Sequence, residues 1–177
     1  LAALTLAPVS ALPIRERQGR FHAAAINVGQ GASTLLASGA AAALVDCGSS
    51  NSYLDAGDAA ADALNTWGYF ALDYLILTHY HADHANGLGV LLARLDVETL
   101  YAPVPTEGEV PLHQEVAELA QRHGVEMVYV TEDRTLPLGE AEVTLFAPVG
   151  DGGANEEGLS VLCTAGEFDL LITGDMN

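Results

Sequence analysis

Short apolar runs and residues that alternate between apolar and polar divide the chain into strand-like and helix-like segments. Runs of about four to eight such residues, bounded by Gly, Asn or Ser, predict β-strands. The predicted strands are residues 21–28, 33–38, 42–47, 72–78, 97–101, 125–130, 141–146, 159–164 and 168–173. Residues 72–78 are apolar at nearly every position, which is typical of a strand with covering layers on both faces.

Apolar residues at helical spacing predict three helices between these strands. They cover residues 54–67, 87–95 and 112–123, and Gly68 and Gly124 end the first and the last. Residues 107–111 are predicted to be a loop, and Ala165-Gly166-Glu167 a hairpin turn. Strands and helices that alternate without a repeat or a linker predict one α/β domain.

The first twenty residues differ from the rest of the chain. Residues 1–14 carry no charged side chain, contain two prolines and are followed by arginines at positions 15, 17 and 20. Fourteen such residues are too few to span a bilayer alone. Three interpretations remain open: the end of a membrane helix, the remnant of a signal peptide, or a strand or loop that covers the core. We therefore divide the chain into a lead segment, residues 1–19, and a domain, residues 20–177.

Charge and cysteine content narrow the possible functions. The 177 residues include six arginines, no lysine and 24 acidic residues, for a formal net charge of −18. This balance excludes a generic basic nucleic-acid binder but not a metalloenzyme, because carboxylates bind divalent cations. Cys47 and Cys163 are too few for a disulfide scaffold. Whether the two cysteines pair is left open.

Three histidines and an aspartate are concentrated directly after the apolar strand 72–78. They are His79, His81, Asp83 and His84 in the segment His79-Tyr80-His81-Ala82-Asp83-His84. On an irregular loop, His79 and His81 can point to one side while Asp83 and His84 turn to another. Such a loop can hold two adjacent metals, or one metal with a carboxylate beside its bound water. Imidazole and carboxylate ligands suit Zn²⁺, and Fe or Mn²⁺ less decisively. The alternatives are a structural His-rich loop and a helix N-cap at Asp83.

The motif His79-x-His81-x-Asp83-His84 after a strand that ends in Thr78 resembles the signature of the metallo-β-lactamase fold. Four further segments occur in the order typical of ComEC-like members, the hydrolase domains of the competence protein in bacterial DNA uptake. They are Asn27-Val28-Gly29-Gln30-Gly31, Leu44-Val45-Asp46-Cys47-Gly48, Leu75-Ile76-Leu77-Thr78-His79 and Leu171-Ile172-Thr173-Gly174-Asp175. The resemblance implies an αββα sandwich, which we expect to be incomplete at the C-terminus of this chain.

The resemblance also implies roles for individual residues. His79 and His81 would bind a first divalent ion, Asp83 and His84 a second, and Asp175 would bridge the two. The ions would be Zn²⁺ or Mn²⁺, and Asp83 would orient the hydroxide that they generate for catalysis. Asp46 would support the ligands from behind, and Asn27 stands where these relatives carry a supporting aspartate. His22, His113 and His123 lie outside the motif and are expected to be structural.

The chain also departs from the ComEC-like pattern. Asn27 and Ala32 stand where aspartates are usual, and Cys47 stands where threonine is usual. Residues 155–160 contain no histidine, unlike the Gly-His-Thr turn of many lactamase-fold hydrolases. A last histidine is expected beyond Asp175, outside this chain, so we expect the 177 residues alone to be nearly inactive.

The leading functional prediction is a metal-dependent hydrolase that cleaves phosphodiester bonds, with single-stranded DNA as a candidate substrate. The alternatives are a small-molecule ester or lactone hydrolase of the same fold, and a non-catalytic domain that binds a metal or a partner. The resemblance and the lead segment predict a bacterial protein that is membrane-associated, through an upstream segment, or secreted.

Overall fold

The structure, a computed structural model, describes residues 21–149 and 158–175. The lead segment, residues 1–19, lies outside the described residues, as do residues 155–157 of the turn that lacks a histidine. Within the described ranges the chain forms two β-sheets and a layer of helices. The prediction of an α/β domain is confirmed.

The first sheet has six strands in the order of the chain. They are β1 (Phe21–Ala25), β2 (Thr34–Ser38), β3 (Ala41–Val45), β4 (Ala71–Ile76), β5 (Asp96–Ala102) and β6 (Glu126–Tyr129). Strands β1, β2 and β3 pair antiparallel, whereas β3 to β6 pair parallel. The carboxyl ends of the parallel strands therefore meet at one edge, where α/β sheets place their sites.

The second sheet has four antiparallel strands in the order β10-β9-β8-β7. They are β7 (Arg134–Leu138), β8 (Ala141–Phe146), β9 (Ser160–Ala165) and β10 (Phe168–Ile172). Strands β9 and β10 join at the predicted hairpin, where Gly166 has φ 63°. The sequence prediction missed β7; Pro137 interrupts its pattern but is tolerated because β7 is an edge strand.

Four α-helices connect the strands of the first sheet. They are α1 (Ala56–Thr66), α2 (Ala82–Ala85), α3 (Leu88–Arg94) and α4 (Val110–His123). The predicted loop 107–111 is wrong, because Glu107–Glu109 forms a 3₁₀ turn and α4 begins at Val110. Pro111 is compatible with this start because a proline in the first turn loses no helical hydrogen bond. The prediction also missed α2, which lies inside the histidine motif.

Alternate residues of the first sheet bury into two separate cores. Leu75 and Leu77 pack with the helices, while Ile76 packs with the second sheet. In the described residues the layers therefore follow as helices, six-stranded sheet and four-stranded sheet. This arrangement confirms that β4 is covered on both faces. None of the helices in the described ranges is long and apolar enough to cross a membrane.

Candidate metal centre

The histidine motif begins where β4 ends, at the carboxyl edge of the first sheet. Extended backbone carries the chain through His81, which has φ −93° and ψ 153°, so residues two apart point to the same side. The rings of His79 and His81 lie 4.7 Å apart, and Nε2 of His79 is 3.1 Å from Nδ1 of His81. His79 is buried and His81 is exposed. The pair therefore extends from the interior to the surface at the sheet edge.

The short helix α2 turns His84 back toward this pair. The rings of His79 and His84 lie 4.0 Å apart. Nε2 of His84 is 3.3 Å from a carboxylate oxygen of Asp175, which follows β10 of the second sheet. Gly174, with φ 57°, packs against Thr78 and directs the chain there. The two sheets thus bring their carboxylate and histidines to one place.

The donor atoms at this place fit a divalent metal ion. One ligand atom each from His79, His81 and Asp175 lies within 4.8 Å of the other two. Two imidazole nitrogens and a carboxylate oxygen suit Zn²⁺ and similar ions. Asp83 lines an adjacent cavity of about 250 Å³ together with His84 and Asp175. The individual ligand roles remain predictions.

The buried carboxylate of Asp46 orients His84 directly, and His79 through Thr78, by hydrogen bonds. It accepts hydrogen bonds from the amide and the hydroxyl of Thr78, each at 2.8 Å, and from Nδ1 of His84 at 2.9 Å. Because the Thr78 hydroxyl donates its hydrogen bond to Asp46, its oxygen can accept a hydrogen bond from Nδ1 of His79, 3.1 Å away. Both histidines then carry their ring proton on Nδ1, which leaves the lone pair of Nε2 available to a metal ion.

Asp46 adopts a backbone conformation that side chains other than glycine rarely take, with φ 59°. Asp and Asn tolerate this region better than other residues. The conformation turns the chain sharply at the end of β3, where the Asp46 amide donates to the carbonyl of Ile76 at 2.8 Å. The unusual backbone conformation of Asp46 therefore occurs at the same residue whose carboxylate bonds to Thr78 and His84.

Two neighbouring histidines have opposite pKa shifts. Burial lowers the pKa of His79, and the nearby charge of His84 lowers it further. Burial acts in the same direction on His84, but the hydrogen bond and charge of Asp46, with the charge of Asp175, outweigh it and raise the pKa of His84. The carboxylates of Asp46 and Asp175 thus favour positive charge at His84.

Backbone contacts fix the loop that carries the motif. The amide of Ala32 donates to the carbonyl of Asp83 at 2.9 Å, and the amide of Cys47 donates to the carbonyl of His84 at 2.7 Å. A Cβ on Gly48 would lie only 2.4 Å from the backbone of both Asp83 and His84. A glycine at position 48 is therefore needed for this close packing.

The remaining predicted site residue, Asn27, lies in the loop between β1 and β2. It is exposed, and its side-chain oxygen accepts a hydrogen bond from the amide of Gly29 at 3.2 Å within its own turn. Ala32 lines the cavity. Cys47 and Cys163 are both free and lie in different cores. Sequence reasoning assigned no role to Thr78, although a threonine directly before the motif was a visible signal.

Comparison with known proteins identifies a family for most of the chain. The family model described as "Metallo-beta-lactamase superfamily" matches residues 26–177. No curated protein matches the sequence significantly.

Solved structures show the same fold at low sequence identity. The metallo-beta-lactamase fold protein YhfI from Bacillus subtilis is 21% identical with a TM-score of 0.55, over 89% of this chain and 58% of that one. The metallo-beta-lactamase SMB-1 is 18% identical with a TM-score of 0.61, over 88% and 61%. CmlA, a diiron beta-hydroxylase from Streptomyces venezuelae, is 20% identical with a TM-score of 0.54, over 89% and 30%. The chain thus spans less than two thirds of each of these proteins.

Proposed function

The chain belongs to the metallo-beta-lactamase superfamily, and on this basis we propose that it is a metal-dependent hydrolase that cleaves phosphodiester bonds. The observation that carries the proposal is the convergence of His79, His81, His84 and Asp175 at the carboxyl edge of the first sheet. Histidine and carboxylate side chains that converge beside a small cavity are typical of a hydrolytic metal site.

We assign the metals to the residues by position. His79 and His81 would hold one ion, Asp83 and His84 a second, and Asp175 would contact both. When bound, such ions polarise a phosphoryl oxygen and activate water. Asp46 keeps the proton of His84 on Nδ1 and Thr78 does the same for His79, so that Nε2 of each stays available. Asp83 would orient the attacking water.

The shape of the cavity supports a substrate whose reacting group is small. Its volume is about 250 Å³, and it is open to solvent beside Asp175. A phosphodiester linkage can enter such a cavity while the rest of a chain remains outside. The order of the five sequence segments supports the finer assignment to the ComEC-like type, with single-stranded DNA as substrate. The lead segment supports a membrane-associated or secreted location in a bacterium.

Electrostatics favours a second candidate, a hydrolase of small esters or lactones. The formal charge of −18 repels a polyanion unless bound cations or basic segments offset it. Within the described residues, Arg94 is already paired with Asp58 and Asp62. A neutral ester would meet no such repulsion.

The decisive experiment loads the full-length protein with Zn²⁺ or Mn²⁺ and counts bound metal by elemental analysis. Hydrolysis of single-stranded DNA and of bis(4-nitrophenyl) phosphate is then compared with hydrolysis of lactones. We expect phosphodiester cleavage that His81→Ala abolishes and His123→Ala, a histidine at the end of α4, leaves unchanged. Lactone turnover without phosphodiester cleavage would reverse the ranking. Metal binding without any hydrolysis would indicate a non-catalytic domain.

A further inference from the structure

Tyr80 lies between His79 and His81, and its side chain points away from the histidine cluster. Contacts with Pro103 and His113 hold it in that position. Its ring is 2% exposed, and its hydroxyl donates to the carbonyl of Pro103 at 2.8 Å. The ring also packs edge-to-face on His113 of α4 at 5.2 Å. Because side chains alternate along extended backbone, fixing Tyr80 on one side fixes the two histidines on the other.

The backbone of Tyr80 is held by a carboxylate that is far away in the sequence. Oε1 of Glu109 accepts a hydrogen bond from the Tyr80 amide at 2.7 Å, across 29 residues. Oε2 of Glu109 accepts from both the amide and the hydroxyl of Thr106, each at 2.8 Å. Glu109 is 4% exposed. Three donors therefore satisfy both oxygens of a buried carboxylate.

A buried carboxylate is a costly way to cap a single helical turn. Removing an ionised carboxylate from water carries a large penalty that only hydrogen bonds or cations offset. The capping contacts to Thr106 use Oε2 alone. Oε1 instead accepts from the Tyr80 amide and takes no part in the cap. The hydrogen bond of Oε1 therefore acts on the histidine loop and not on the helical turn.

We propose that Glu109 is a positioning residue for the metal centre. Its hydrogen bond to the Tyr80 amide keeps the backbone of residues 79–81 extended, with the imidazoles of His79 and His81 on one side, 4.7 Å apart. The inference rests on the proposed function, because it assigns metal binding to this pair. Glu109 touches neither substrate nor metal and acts through Tyr80.

The test compares Glu109→Ala and Glu109→Asp with the unchanged chain. The aspartate is one methylene shorter, so it retains a charge near Thr106 but cannot span both partners. Two readouts report on position: hydrogen exchange of the Tyr80 amide in the metal-free protein, and the visible spectrum and affinity of bound Co²⁺. We expect exchange at Tyr80 to accelerate at least about tenfold and Co²⁺ affinity to fall by about 10- to 100-fold, the usual effect of losing a group that orients a ligand.

The matched control is Asp73→Ala, in the first half of β4. Asp73 is half-buried, and like Glu109 its carboxylate accepts a backbone hydrogen bond, from the Ala42 amide at 2.8 Å. We expect this variant to lose stability without changing Tyr80 exchange or the Co²⁺ spectrum. A purely structural role for Glu109 would make its variants behave in the same way as this control.

The outcomes separate this inference from the proposed function. If Glu109→Ala does not fold, Glu109→Asp decides the question. Unchanged Tyr80 exchange and an unchanged Co²⁺ spectrum in a folded Glu109 variant would overturn the positioning role, whatever the activity. Conversely, if the variants alter both readouts but the unchanged protein cleaves no phosphodiester, the positioning role stands and the proposed reaction fails. An unchanged protein that binds no Co²⁺ would contradict both.

Discussion

Asp46 and His84 are 38 residues apart in the chain, yet the carboxylate of Asp46 lies 2.9 Å from Nδ1 of His84. The carboxylate holds the proton on Nδ1, so that Nε2 faces Asp175. Asp46 also binds Thr78, whose hydroxyl lies beside His79. One buried carboxylate therefore sets the orientation of two histidines that come from different parts of the motif.

Asp46→Asn should weaken both the fold and the metal centre. Asparagine tolerates the φ of 59°, so the change leaves the backbone conformation intact and alters the hydrogen bonds. The amide presents a donor to Thr78 or His84 in place of an acceptor. We expect a loss of about 2–4 kcal/mol in the free energy of unfolding and of about 10- to 100-fold in metal affinity. Urea unfolding and metal titration check the two effects.

The control for Asp46→Asn is Asp133→Asn. Asp133 also accepts a backbone amide hydrogen bond, from Ala147 at 3.0 Å, but it is exposed and its partner lies outside the histidine motif. This control should change stability by less than about 1 kcal/mol. Equal effects of the two substitutions would show that burial and the contact with His84 do not matter.

Thr78→Val tests the relay from Asp46 to His79. The substitution keeps the shape of the side chain but removes the hydroxyl, which leaves Nδ1 of His79 without its 3.1 Å neighbour. We expect ¹⁵N spectra of the imidazoles to show His79 in a mixture of tautomers, and metal affinity to fall about tenfold. Thr135→Val removes a comparable hydroxyl contact on an exposed strand and should change neither. A single unchanged tautomer of His79 in Thr78→Val would contradict the relay.

Features that depend on local pattern could be predicted from the sequence. The apolar run before His79 placed the motif at the end of a buried strand, because residues such as Leu75 and Ile76 alternate between two cores. The same pattern placed Asp175 at the tip of the last strand. Periodicity and turn chemistry are enough for such statements, since neighbours in the sequence determine them.

Features that depend on distant contacts could not be predicted. Glu109 lies in a segment that reads as a polar loop, and only the folded chain shows its contact with Tyr80. Strand β7 was missed for a similar reason. Pro137 interrupts its strand pattern in the sequence, and the strand is stabilised by pairing with β8. For Asn27 the resemblance suggested a role near the metals, whereas its side-chain oxygen accepts a hydrogen bond from the amide of Gly29 in its own turn. The role of Asn27 in supporting the ligands stays a prediction.

Gly48→Ala should disrupt the loop that carries the histidines. The added Cβ would lie 2.4 Å from the backbone of Asp83 and His84, which cannot move as easily as a side chain. Gly48 is not among the glycines with positive φ, so the effect is steric. We expect a loss of about 2–4 kcal/mol in stability together with reduced metal binding. Thermal unfolding and metal titration provide the measurement.

Gly108→Ala is the matched control for Gly48→Ala. A Cβ on Gly108 would meet nothing within 4 Å, and the residue lies in the 3₁₀ turn Glu107–Glu109. This variant should be as stable as the unchanged chain or slightly more so, because alanine restricts the unfolded chain. If both variants behaved alike, close packing at Gly48 would not be the reason for its glycine.

Added salt should stabilise the metal-free protein. With 24 acidic residues against six arginines, the compact state carries strong self-repulsion, and monovalent salt screens it. We expect NaCl raised from about 0.1 M to about 1 M to increase the unfolding free energy by at least about 1 kcal/mol, or a few degrees in Tm. A Tm that responds to sodium sulfate but not to NaCl would point to surface exclusion and not to charge screening.

Stability should fall at alkaline pH because of the buried thiol of Cys163. Burial, and to a smaller extent the charge of Asp169, raises its pKa from 9.0 to about 11. A group whose pKa is raised on folding contributes stability that is complete below the unfolded value and is lost as pH rises toward the folded one. Between about pH 8 and pH 10.5 the thiol should therefore cost the metal-free chain ~1–2 kcal/mol, because only the unfolded thiol ionises. The variant Cys163→Ala has no thiol at this position. Its unfolding free energy, measured in urea at the two pH values, should fall by ~1–2 kcal/mol less than that of the unchanged chain. An identical decline in the two proteins would mean that the native thiol ionises as readily as the unfolded one.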